Sequence, residues 1–249
     1  MLPELEPELR ALAARHGLTA EAERKLGALL GLLVEDPCAP TSIKTAGAAL
    51  NDHLADSLVG LECASLNEAR NVVDLGSGAG LPGLPLAIAL PQASFTLLES
   101  SARKCRFLKR AIETCRITNA EVVHARAESL PSALERYDVA LARALAPLPV
   151  TLEYAAPLLR VGGRLIVWRG RCDPDAEAAA ARAAPGLGLG EASIRAVLPY
   201  AGAQHRHLYA VLKTETTPAR FPRRPGIAAK RPLGVRSRAG DTSSDREPR

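Results

Sequence analysis

The sequence predicts an α/β fold: a mostly parallel sheet of seven strands with crossover helices, closed by a terminal antiparallel hairpin and preceded by an N-terminal helical cap. Three observations predict it. Residues 4–34 carry apolar side chains at helical spacing, and from Asn71 short apolar runs alternate with helical stretches, the rhythm of a parallel sheet with crossovers. Two late apolar runs bracket a turn containing Gly202, as the arms of a hairpin do.

In the cap, Leu5, Leu9, Leu12 and Ala13 form one apolar stripe and Leu26, Leu29, Leu30 and Leu33 a second; Gly17 separates them and Thr19 is placed to cap the second helix. A Pro-, Thr- and Ser-rich loop over 37–45 leads to a helix expected near 51–61. Strands are expected at 71–74, 95–99, 121–124, 137–140 and 164–168, with helices near 84–89, 102–115, 128–134 and 150–159. The hairpin takes 193–197 and 207–212. The resulting organisation is a cap and loop over 1–62, a core over 63–213, and a basic extension over 214–249 expected to be largely disordered, above all from Gly234 onward.

A chain of 249 residues with 47% hydrophobic content can bury a sizeable core, although 3% aromatics leaves most packing to alanine, leucine and valine. The N-terminus opens on Glu4, Glu6 and Glu8, and the longest apolar run, 81–90, is broken by Pro82, Gly83 and Pro85, so neither a signal peptide nor a membrane span is expected. Cys38, Cys63, Cys105, Cys115 and Cys172 are scattered without a CxxC pair; they read as reduced thiols in a cytoplasm, each a small buried hydrophobe, with no metal site. From Lys213 to Arg249 ten Lys or Arg stand against four Asp or Glu, whereas the whole chain carries +5. The basic character therefore lies in the tail, which suits either a polyanion such as nucleic acid or a solvated segment that aids solubility.

The sharpest signal is Val72-Val73-Asp74-Leu75-Gly76-Ser77-Gly78-Ala79-Gly80, a strand ending in an acid followed by alternating glycines. Glycines there let the backbone pass close to a ligand where a Cβ would collide. Gly78-Ala79-Gly80-Leu81-Pro82-Gly83 also matches the GxGxxG dinucleotide fingerprint, but its first glycine lies four residues beyond Asp74, and Pro82 and Pro85 fall where a phosphate-facing helix needs free N–H groups. The first register suits S-adenosylmethionine better than NAD, with Asp74 meeting an ammonium or an ordered water. Glu99, ending the second strand, is placed to accept ribose hydroxyls. After the third strand, Ala127 can offer a small wall to an adenine with Glu128 beside it, or Glu128 can simply begin a helix.

With these residues the chain resembles the bacterial small-subunit rRNA guanine-N7 methyltransferase family, RsmG, also called glucose-inhibited division protein B (GidB). The resemblance rests on His53-Leu54-Ala55-Asp56-Ser57, on Val73-Asp74-Leu75-Gly76-Ser77-Gly78-Ala79-Gly80-Leu81-Pro82-Gly83-Leu84-Pro85-Leu86, on Arg103-Lys104-Cys105-Arg106-Phe107-Leu108, on Arg143-Ala144, and on the segment from Pro222 to Leu233. It implies a Rossmann-like class I S-adenosylmethionine-dependent methyltransferase fold acting on N7 of a guanine in 16S rRNA. It also implies a cofactor site at Gly76, Leu81, Ala127, Glu128 and Arg143, to which the reading of the loop adds Asp74, Gly78, Gly80 and Glu99. Ala79 and the segment Pro40-Thr41-Ser42-Ile43 depart from the family's pattern, and Arg169 stands where a Lys is usual.

Guanine N7 keeps an in-plane lone pair at neutral pH, so no general base is required and positioning can carry catalysis, with no residue assigned a proton-transfer role. Both the sulfonium and the methylated purine are cationic. Arg143 is therefore expected to clamp an anion, either the cofactor carboxylate or an RNA phosphate. Contacts to 16S rRNA or the 30S subunit are expected from His53, Asp56, Arg103, Lys104, Arg106, Arg169, Arg223, Arg224, Lys230 and Arg231, on a monomer with no obligate protein partner and no membrane association. Removing 217–249 is expected to weaken RNA binding and leave cofactor affinity intact. Open alternatives are a methyltransferase with another substrate, a non-catalytic adenosylmethionine- or RNA-binding scaffold, and an NAD-dependent oxidoreductase.

Overall fold

The computed structural model describes residues 3–130 and 134–235. Seven strands form one sheet: β1 Asn71–Leu75, β2 Ser94–Glu99, β3 Ala120–His124, β4 Tyr137–Arg143, β5 Leu159–Arg169, β6 Leu189–Ala196 and β7 His207–Lys213. Their spatial order is β3-β2-β1-β4-β5-β7-β6. The first five pair in parallel, while β7 runs antiparallel to both β5 and β6. Strand order reverses between β1 and β4, and the crevice outside the carboxyl ends at such a reversal is where open α/β sheets place ligands.

The cap holds α1 Glu6–Arg15 and α2 Ala20–Glu35, the latter capped by Thr19, whose hydroxyl accepts the Ala22 N–H at 3.2 Å. A kinked helical run, α3, covers residues 46–62 and contains a π segment at Leu50–Ala55. It is longer than the expected 51–61. After the glycine bend come α4 Gly83–Ala89, α5 Ala102–Thr114, α6 Leu148–Ala155 and α7 Pro174–Ala183. The cap is continuous with the core: Leu26, Leu29, Leu30 and Leu33 share one apolar cluster with Leu84, Phe95, Phe107 and Trp168. The opposite sheet face packs Leu148, Leu152, Leu158 and Leu187 against Val73, Leu165 and Tyr209.

Four expectations need correction. The helix expected at 128–134 is a single 3-10 turn, Ala127–Ser129, ending at Leu130, the residue before Pro131, where proline disfavours helical backbone; residues 131–133 lie outside the described ones. α7 was not expected, because its buried face is alanine and shows no large apolar stripe; Asp173, whose carboxylate accepts the Ala176 N–H at 3.1 Å, and Pro174 at the first turn mark its start. Cys38 and Cys172 are exposed, not buried; Cys105 and Cys115 are buried, and burial pushes the Cys115 thiol up to about 11. Finally, residues 214–235 of the extension pack on the core, with Ala228 buried and Phe221 and Leu233 against the second cluster, while 236–249 lie outside the described residues. Among the described residues no helix is long and apolar enough to cross a membrane.

The extension starts from a buried cation. Lys213 is fully buried at the end of β7; its ammonium donates to Leu187 O at 2.9 Å and to the Thr217 hydroxyl, and burial lowers its pKa to about 8 from 10.5. The unfolded chain therefore holds a proton that the folded chain has lost between pH 8 and 10.5, so stability rises with pH through that window. Urea unfolding of the protein across that range is expected to show the rise, and Lys213→Met is expected to remove it.

Candidate functional site

The bend after β1 is held by two carboxylates at the ends of neighbouring strands. Asp74 is 1% exposed; its Oδ2 accepts the Gly83 N–H at 3.1 Å, so the first amide of α4 points at a protein carboxylate. A Cβ on Gly83 would lie 2.6 Å from that oxygen and 2.5 Å from Leu97, which is why a glycine starts this helix. The dinucleotide register fails here, since the helix begins at its last glycine and its leading donor is spent on Asp74. Asp74 thus braces the bend through Oδ2, and its Oδ1, the oxygen left for the ammonium or ordered water expected of it, is buried and without a protein partner. Burial raises its pKa to about 6, against hydrogen bonds from Ser77 and Gly83 that lower it.

Glu99 is 4% exposed and closes β2. Its Oε2 accepts the Gly78 N–H at 3.0 Å and its Oε1 accepts the Ser101 N–H at 2.8 Å, while Gly76 and Ser77 donate to Leu98 O at 2.8 and 3.1 Å. Each carboxylate oxygen keeps a lone pair beyond these bonds. Gly76, Gly78 and Gly80 have φ of +67°, +59° and +85°, a region that favours glycine, and a Cβ on Gly78 would meet only Gly76 O at 3.7 Å.

Two cavities share Leu145, whose side chain lies against Gly76 of the bend. The smaller, about 120 Å³, is lined by Gly76, Ser100, Ala125, Ala127, Glu128 and Tyr154. The larger, about 420 Å³, lies over the ends of β4 and β5 and is bordered by Asp52, His53, Asp56, Arg143, Trp168 and Arg206, with Arg169 at its edge. In the first cavity the expected Gly76, Ala127 and Glu128 come together; Leu81 is buried in the core behind the bend.

The larger cavity is bordered by a charge network. Arg143 Nη1 donates to Asp56 Oδ2 at 2.8 Å and to Asp52 O at 3.0 Å, and Arg206 pairs with Asp52 Oδ1 at 3.0 Å and Asp56 Oδ1 at 3.3 Å. Tyr200 donates its hydroxyl to Asp52, and Trp168 Nε1 donates to Asp56 O at 2.7 Å. Arg143, expected to clamp the cofactor carboxylate or an RNA phosphate, is paired here with Asp56 of its own chain. His53 is 7% exposed, shares a 2.7 Å hydrogen bond with the Thr41 hydroxyl, and is held below its ordinary pKa by burial and by Arg143. His53 and Asp56, expected to touch RNA, are mostly buried structural partners at the cavity wall. The π segment of α3 carries Asp52 and His53 and runs into Asp56. Arg15 of the cap holds the loop before Tyr200, donating to Pro199 O at 2.6 Å.

Asp52, Tyr200, Arg206, Leu145 and Tyr154 were not expected. Tyr200 and Arg206 lie more than 140 residues from Asp52 in sequence, and no local spacing signals their meeting. Asp52 stands beside His53 in a segment already singled out, the one cue that was available. Of the expected RNA-facing residues, Arg103, Arg106, Arg224, Lys230 and Arg231 are exposed and Lys104 is half-buried. Arg223 is committed to Glu153. Among the described residues no group of three or more His, Cys, Asp or Glu is placed to hold a metal ion.

Residues 38–207 match the family model described as rRNA small subunit methyltransferase G. The chain belongs to this family. It is 44% identical over 196 residues to Ribosomal RNA small subunit methyltransferase G of Chloroflexus aggregans, covering 78% of this chain and 82% of that one. The protein of the same name from Deinococcus deserti is 38% identical over 240 residues, covering 94% and 98%. Among solved structures, the S-adenosylmethionine-dependent methyltransferase SibL superposes with a TM-score of 0.56 at 15% identity, over 86% of this chain and 76% of that chain, which shows the fold alone. The fold is the Rossmann-like class I methyltransferase fold that the glycine loop and the family resemblance implied.

Asp74 supplies a test of how the bend is held. Its folded pKa lies above the unfolded value of 3.8, so the folded protein keeps a proton that the unfolded chain loses between about pH 4 and 6. Stability is expected to fall as pH rises through that window. Asp74→Asn, which keeps the acceptor for Gly83, is expected to flatten the fall in urea titrations at pH 4.5 and 6.5.

Proposed function

We propose that this chain transfers a methyl group from S-adenosylmethionine to N7 of a guanine in the 16S rRNA of the small ribosomal subunit, in the cytoplasm. The observation that carries the reading is Glu99, a nearly buried carboxylate that shapes the Gly78 bend, keeps lone pairs beyond its two amide bonds, and stands between Leu98 and Ser100, which line the smaller cavity. The residues present fit the cofactor. A bend whose Gly78 Cβ position is open admits close backbone approach, Glu99 suits ribose hydroxyls, and the cavity at Ala125, Ala127 and Glu128 suits an adenine.

When bound, the cofactor supplies an electrophilic methyl on a sulfonium. The larger cavity meets the smaller at Leu145, over the ends of β4 and β5, where a purine can present N7 against an apolar wall of Leu145, Val167 and Trp168. Of the titratable side chains bordering it, Asp52 and Asp56 are paired with guanidiniums, which leaves His53, bonded to Thr41 through Nε2 and with Nδ1 unpartnered, as the group there with a ring nitrogen to serve as a base. Guanine N7 needs none. The network also answers an electrostatic demand, because Arg143 and Arg206 would oppose a cationic reacting group unless neutralised, and Asp52 and Asp56 neutralise them in place. Alignment is what remains for the protein to supply.

The family name borne by its relatives supports rRNA as substrate. Arg103, Lys104 and Arg106 at the start of α5, with Arg224, Lys230 and Arg231 on the extension and Arg169 at the cavity edge, offer phosphate contacts, so RNA binding weakens steeply with salt.

With labelled methyl donor and small subunits lacking the modification, label is expected in 7-methylguanine after rRNA digestion; a folded protein that binds the donor and leaves the rRNA unlabelled would overturn the proposal. Glu99→Gln removes charge-assisted bonds worth about 1.5–3 kcal/mol and is expected to weaken donor binding roughly 10- to 150-fold by calorimetry.

A further inference from the structure

The C-terminal extension is fastened to the protein at several points along its length. Arg223 Nε donates to Glu153 Oε1 at 2.7 Å, its backbone N–H reaches the same oxygen at 3.3 Å, and Nη2 donates both to Glu153 Oε2 and, at 2.9 Å, to Arg231 O. Glu153, in α6, is 1% exposed, so this guanidinium is the partner of a buried carboxylate. Further on, Gly234 O accepts from Arg182 Nε at 2.7 Å, and a Cβ on Gly234 would lie 2.0 Å from Ala179 O, a backbone approach that only glycine permits. Between these anchors Gly226, at φ +81°, donates its N–H to Glu128 Oε1 at 3.2 Å.

That last bond reaches the smaller cavity. Glu128 and Tyr154 both line it, and Tyr154 follows Glu153 in α6. Glu128 sits on a single 3-10 turn without a side-chain cap, so little local structure fixes its carboxylate. The extension acts on the cavity wall by two routes: Gly226 onto Glu128, and Arg223 through Glu153 onto the turn that presents Tyr154.

We infer that residues 218–235 are a positioning strap for the cofactor site, with Arg223 and Gly226 holding Glu128 and α6 in the arrangement that receives the cofactor. The inference rests on the reading of the smaller cavity as the cofactor's adenine end. It reverses the expectation that removing the extension leaves cofactor affinity intact. Fixing the wall before binding removes an ordering cost that binding would otherwise meet. Arg223 therefore faces inward, while Arg224, Lys230 and Arg231 on the same strap remain exposed.

The test uses the full chain. Arg223→Gln combined with Glu153→Gln releases the strap without stranding a buried charge, Arg223→Lys keeps the charge but loses the fork, and S-adenosylhomocysteine is the calorimetric probe. The double variant is expected to bind roughly 5- to 20-fold more weakly and Arg223→Lys to fall between it and the unaltered protein, at the scale of one or two charge-assisted bonds. A cycle with Glu128→Gln separates positioning from general loosening. Glu128→Gln is expected to cost clearly less in the released background than in the unaltered protein, because its partner is already lost. Equal affinity in folded variants, or fully additive losses, would overturn the strap and leave the cofactor site standing; failure of the unaltered protein to bind the probe would overturn both.

Discussion

The hydrogen bond from the Gly78 amide to Glu99 joins the two strands on which the site depends. Without it the Gly78 amide would lose its partner in a bend of three left-handed glycines that is otherwise tied to β2 through Gly76 and Ser77 on Leu98 O. With it, the carboxyl end of β2 fixes the carboxyl end of β1. Asp74 repeats the device below the bend by taking the first amide of α4. Asp74 is wholly enclosed, and burial raises its pKa. Glu99 keeps lone pairs beyond its two amide bonds, and in the proposed function that difference separates a bracing acid from a binding one.

The same logic governs the larger cavity. A reaction between a cationic donor and a base that becomes cationic tolerates arginines nearby only when carboxylates offset them. Arg143, Arg206, Asp52 and Asp56 meet that condition inside one chain. The cap helps indirectly, since Arg15 holds the loop that carries Tyr200 onto Asp52. The cap, the terminal hairpin and the C-terminal strap are parts of the site's walls as much as additions to the sheet.

How much of this was legible in the sequence depended on how local each signal was. The strands of the parallel sheet and the glycine bend could be read because each is written in a run of neighbouring residues, whereas Ala127 and Glu128 were singled out as cofactor residues by the family resemblance. Helix α7 was missed because alanines bury a face without marking it. The fates of Arg143 and Arg223 could not be read at all. An arginine after a strand and an arginine in a basic tail look ready for a phosphate, and only the folded chain shows Asp56 and Glu153 already there. The fold was more legible than the site, because strand periodicity is set by neighbours and ion pairs by distant partners.

The most direct measurement of the central claim, that the bend clasped by Glu99 receives the methyl donor, is hydrogen exchange of the folded protein with and without S-adenosylhomocysteine. Slowed exchange confined to amides at 76–80, 99–101 and 125–128 is the result the account predicts. Binding that leaves those amides unprotected, or protects a different part of the sheet, would contradict it.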